Sequence, residues 1–101
     1  MNKKLISRKE LLQLTFFKLL KQGKQQAALC LSDKLIFAEN RGSDYVNFED
    51  KEVELEIIRF IDEFLENKHF SDICNLNRYG HFQFDITGKD VIINVENYEK
   101  S

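Results

Sequence analysis

Between His81 and Asn97 the chain reads HFQFDITGKDVIINVEN, and this stretch constrains the fold more than any other. Side chains on a strand point alternately to opposite faces. A two-residue turn centred on Gly88-Lys89 sets Ile86 opposite Val91, Phe84 opposite Ile93 and Phe82 opposite Val95, all six on one face. His81, Gln83, Asp85, Asn94 and Glu96 share the other face. Glycine at 88 supplies the positive φ that begins a type II′ turn. A two-stranded ribbon with one apolar face is not stable alone in water, so the rest of the chain must cover it. The spacing predicts a C-terminal β-hairpin under helices.

Three helices are expected. Ser7-x-x-Glu10 is a capping box, Ile6 can pack on Leu11, and Leu12, Phe16, Leu19 and Leu20 recur at helical spacing up to a cap at Gly23. Residues 25–39 read either as a helix with a stripe of Ala28, Leu31, Leu35 and Ala38, or as two strands around Ser32-Asp33-Lys34. Alanine content and the lack of clean alternation favour the helix, which would close an antiparallel αα-hairpin. Residues 40–48 form a connection, with Asn47 or Asp50 as the next cap. A third helix over about 50–67 gathers Val53, Ile57, Phe60, Ile61 and Phe64 on one side, with Ile58 and Leu65 at its edge. Ile73 to Leu76 suits a short third strand, Arg78-Tyr79-Gly80 a turn, and the tail beyond Tyr98 is expected to fray. The fold class is therefore α+β: an αα-hairpin and an acidic amphipathic helix packed on a small antiparallel sheet that contains the C-terminal hairpin.

At 101 residues this is one domain, and 43% hydrophobic content with nine phenylalanines excludes disorder. No apolar run approaches the roughly 18–20 residues of a membrane span. The start, MNKKLISRKELL, has basic residues but no apolar run or cleavage site behind them, so a cytoplasmic location is expected. Cys30 and Cys74 then read as buried thiols.

The net charge of −2 hides a division. Residues 1–24 carry seven Lys/Arg and one acid, whereas residues 49–66 carry eight acids against Lys51 and Arg59. Acids in the first turn of helix three suit its dipole; Asp62, Glu63 and Glu66 oppose it. Three explanations are open: a solvated face, neutralisation by the basic first helix, or a docking surface for a cationic partner.

No motif fixes a catalytic chemistry. His69-x4-Cys74-x6-His81 matches no closed zinc pattern, so neither a metal nor a cofactor is expected. Cys74 with His69 or His81 lacks a nucleophile signature, an exposed acidic row lacks the burial that raises a catalytic pKa, and no phosphate-cradling loop occurs. An enzyme is not expected. Nucleic acid binding through the basic first helix is a third reading, disfavoured by the isoelectric point of 5.7; Phe16 and Phe17 are read as core.

The stretch EDKEVELEIIRFIDEFLE resembles, in size and acidity, the acidic helix of bacterial immunity proteins. That resemblance implies an inhibitor that covers the active site of a basic nuclease-type toxin. Glu52, Glu56, Arg59, Asp62, Glu63 and Glu66 would form the interface, with Tyr45 and Phe48 as apolar anchors. Reversing Glu56, Asp62 and Glu63 to lysine would then weaken capture without unfolding the domain. The alternative is a phage or mobile-element accessory protein acting as a homodimer through an open sheet edge.

Overall fold

The computed structural model describes residues 3–48, 50–66 and 69–96. Glu49, the expected end of helix three at Asn67, and the tail beyond Tyr98 lie outside them. In chain order the elements are β1 (Lys3–Ile6), α1 (Arg8–Lys21), α2 (Gln25–Arg41), β2 (Tyr45–Asn47), α3 (Lys51–Phe64), a 3-10 turn (Phe70–Asp72), β3 (Cys74–Leu76), β4 (Phe82–Asp85) and β5 (Val91–Asn94). The class is α+β with three helices, small antiparallel sheets and two C-terminal strands.

Local chemistry explains the helix ends. The Ser7 hydroxyl accepts from the Glu10 amide at 3.1 Å, and Asp50 accepts from the amides of Glu52 and Val53. α1 ends in a Schellman motif: Gly23 is left-handed, its amide donates to Leu20, and the Lys24 amide reaches back to Leu19. The segment 25–41 is helix throughout, because Ala27, Ala28, Leu31, Leu35 and Ala38 make one buried stripe against α1 and α3.

The C-terminal strands do not pair with each other, which corrects the expected hairpin register. β5 pairs antiparallel with β1, Ile6 opposite Val91 and Lys4 opposite Ile93. β4 is the centre of a separate sheet ordered β2-β4-β3, with Phe84 between Val46 and Cys74. Alternation still aimed the right side chains inward, since Phe84, Val91 and Ile93 are all buried. Gly88 is not among the glycines with positive φ, so no type II′ turn forms there. Instead, Arg8 fills the space over Gly88, where an added Cβ would collide with its guanidinium. Its Nε donates to the Lys89 carbonyl and its Nη1 to the Ile73 carbonyl, both at 2.9 Å. Residues 86–90 thus cross from one sheet to the other around an arginine. The Thr87 hydroxyl and amide both donate to Asp85, which holds that exposed carboxyl below the usual carboxylate range.

One hydrophobic core runs through all layers: Leu11, Leu12 and Leu19 from α1, the α2 stripe, Ile57, Ile61 and Phe64 from α3, and the inward strand residues. The expected α1 stripe is rotated. Leu20 is exposed and Phe16 half-buried, while Thr15 and Lys18 are buried in their stead. The Thr15 hydroxyl is satisfied by the Leu11 carbonyl at 2.8 Å.

Candidate functional site

Two surfaces deserve comparison, the acidic row of α3 and the outward face of α1 and α2. The first carries most of the residues singled out in the sequence. Its acids lie against the chain's own lysines: Lys18 to Glu63 at 2.9 Å, Lys24 to Glu56 at 3.2 Å and Lys3 to Glu66 at 3.6 Å. Asp62 accepts from the Phe70 amide at 3.1 Å and lies 3.4 Å from His69 Nδ1. The basic N-terminal segment and the acidic helix are therefore the two halves of one internal electrostatic seam. Lys18 is the deepest member, its side chain 8% exposed and its ammonium 4.9 Å from the centre of the Phe64 ring. An ammonium at that depth requires compensating charge and ring faces.

The remaining sequence candidates divide. Glu52 is exposed and, among the described residues, makes no ion pair; Arg59 is exposed with its guanidinium 5.8 Å from the Phe60 ring. These two, with Leu55 and Glu56, line a shallow depression on α3. Tyr45 is exposed on β2, but Phe48 is 2% exposed and belongs to the core, so it offers no anchor to a partner.

Glu54 is not on the outer row. It is fully buried, with Lys51 Nζ 3.0 Å from Oε1 and the Phe82 amide 3.3 Å from Oε2. His81 Nδ1 lies 3.5 Å from the same Oε2. Both histidines thus sit beside carboxylates of α3. Neither cysteine is in a disulfide, and among the described residues no three His, Cys, Asp or Glu are grouped to hold a metal ion. No helix of these residues is long and apolar enough to cross a membrane.

Burial pushes the Cys74 thiol up from 9.0 to about 12, with Arg8 opposing and Glu54 adding to the rise. A thiol held protonated is a poor nucleophile. The unfolded chain loses this proton near pH 9 while the fold keeps it, so stability is intact below pH 9 and falls between 9 and about 12. Urea titrations should show the wild type losing about 1.4 kcal/mol per pH unit there relative to Cys74→Ala. Equal slopes in the two proteins would refute the assignment.

The second surface escaped the sequence reading. Leu12, Phe16, Phe17, Leu31, Leu35 and Ile36, with Gln13, Ser32 and Glu39, line a groove of about 420 Å³ between α1 and α2. Phe17 is 55% exposed and Ile36 53%, and Leu20, Leu29 and Phe37 are exposed on the same two helices. A signal was present: α1 and α2 carry more large apolar residues than one buried stripe can hold. No family model, characterised protein or solved structure matches this chain.

Proposed function

We propose that this chain is a non-catalytic, cytosolic protein-interaction module whose partner docks on the outer face of α1 and α2. What supports the reading is an apolar groove between two helices with the exposed Phe17 and Ile36 in its lining. Single exposed apolar residues are ordinary, but two that line one apolar groove from adjacent helices mark a contact surface. A photoactivatable phenylalanine analogue at position 17 should give one discrete covalent adduct in the native cells, and the same analogue at the exposed Tyr79 none. Absence of an adduct from position 17 would remove this face from consideration.

A second reading is the immunity-type inhibitor of a basic nuclease toxin. It is favoured by the depression lined by Glu52, Leu55, Glu56 and Arg59, with Leu55 57% exposed among charges. Under this reading Glu52, Leu55 and Arg59 meet the toxin, because Glu56, Glu63 and Glu66 are engaged by lysines of the chain and Asp62 by the Phe70 amide. Leu55→Lys with Glu52→Lys would then abolish toxin capture and leave the α1–α2 face unaffected. Capture that survives this double variant would dispose of the inhibitor reading.

A further inference from the structure

We propose that the outer edge of β1 takes up an extended, acidic segment of another protein as an added antiparallel strand. This site is separate from the α1–α2 groove, which no β1 residue lines.

Backbone direction locates the open groups. β5 lies between β1 and the segment that follows α3: the Glu66 amide donates to the Ile92 carbonyl at 3.1 Å, and Leu65 bridges to Ile93. Along a strand, the N–H and C=O of one residue point to one side and those of the next residue to the other. Ile92 therefore faces Glu66, whereas Val91 and Ile93 face β1. With the observed register, Lys4–Ile93 and Ile6–Val91 are the hydrogen-bonded pairs, and the N–H and C=O of Lys3 and Leu5 turn outward. Among the described residues no strand but β5 pairs with β1. A guest strand finds its main-chain partners at Lys3 and Leu5, as in strand-addition complexes.

Side chains say what the guest carries. Leu5 and Ile92 stand opposite each other with both side chains exposed, and a guest residue opposite Leu5 extends that apolar row. The next guest residue stands opposite Lys4 in a non-hydrogen-bonded pair, where side chains approach most closely. Lys4 is exposed and, among the described residues, makes no ion pair, so a carboxylate gains its counterpart there. Lys3, 3.6 Å from Glu66, stands one position further and adds to the positive field. In chain order the guest therefore reads apolar, then acidic. Charge also selects against a second copy. Residues 3–9 hold Lys3, Lys4, Arg8 and Lys9 and no acid, and self-pairing would bring that cluster onto itself. Lysines on an edge deter such like-charged strands. An acidic strand turns the same lysines into an attraction.

Nitrogen-15 NMR titration of the full chain with capped synthetic peptides tests this. The acidic probe is Thr-Val-Glu-Glu-Thr, and the basic one is Thr-Val-Lys-Lys-Thr. The acidic peptide should shift the amides of Lys3 and Leu5 saturably, and the basic peptide should bind about tenfold more weakly. Methylating the valine nitrogen of the acidic peptide removes a ladder donor and should abolish those shifts. Lys4→Glu should invert the preference between the two peptides; Lys4 has no ion pair to lose among the described residues, so the fold is expected to stand. The two peptides on the wild type decide the matter even if that variant does not fold. No shift of the Lys3 and Leu5 amides at millimolar acidic peptide overturns the proposal. So does equal binding of the two peptides, or binding that valine methylation leaves intact.

Discussion

Reversal of Glu56, Asp62 and Glu63 to lysine is expected to unfold much of the population, lowering Tm by roughly 20–40 °C at 4–8 °C per kcal/mol. From the sequence these acids are an exposed row, and their reversal is expected to spare the fold. The structure changes that expectation, chiefly through Glu63. Its carboxylate lies 2.9 Å from the ammonium of a lysine that is almost wholly buried. Reversal sets one ammonium against another at a site where an uncompensated buried charge costs about 3–5 kcal/mol. Asp62 contributes about 1 kcal/mol through its bond to the Phe70 amide, and the partly exposed Lys24–Glu56 pair no more than about 1 kcal/mol. The sum is about 5 kcal/mol, comparable with the whole stability of a small domain. Thermal and urea unfolding of the triple variant measure it directly. Adding Lys18→Met should recover most of the Glu63 share, since an apolar side chain removes the buried ammonium that the new lysine repels. A triple variant melting within a few degrees of wild type would show that the seam does not hold α1 to α3.

Lys51→Met should cost about 3 kcal/mol although Lys51 is itself exposed, because it leaves the fully buried Glu54 carboxylate short of its cation. Lys51 also donates to the Gly80 carbonyl at 2.7 Å, at the turn between β3 and β4. That turn is built on Asn77, whose side chain accepts from the amides of Tyr79 and His81, and on a left-handed Gly80. The lysine therefore ties the start of α3 to the loop that positions β4. The double variant Lys51→Met, Glu54→Leu should cost only about 1 kcal/mol, since it removes the buried charge together with its partner. Urea midpoints give both values. A single variant no worse than the double would mean that the Phe82 amide and His81 suffice for Glu54.

The sequence of this protein, on its own, determines whatever is settled within a turn or two of chain. Ser7 and Asp50 cap their helices, Gly23 ends the first, and the apolar side of α3 is the one its spacing implies. Alternation likewise sets which side of each C-terminal strand is buried, because that side is a property of the strand alone. Tertiary structure decided the partners. The ladder of β5 went to Lys3–Ile6 at the far end of the chain, for which alternation over four residues provides no signal. An arginine from α1 displaced the turn at Gly88. The same division runs through the surfaces. Charge asymmetry between the two ends of the chain was legible, but whether Glu54 faces water or Lys18 is buried depends on how the helices rotate against one another. That rotation left Phe17 and Ile36 outside and brought the lysines onto the acids. Local hydrogen bonds and periodicity are read along the chain. Ladder and ion-pair partners are chosen among many near-equivalent groups, and only the packed core selects between them.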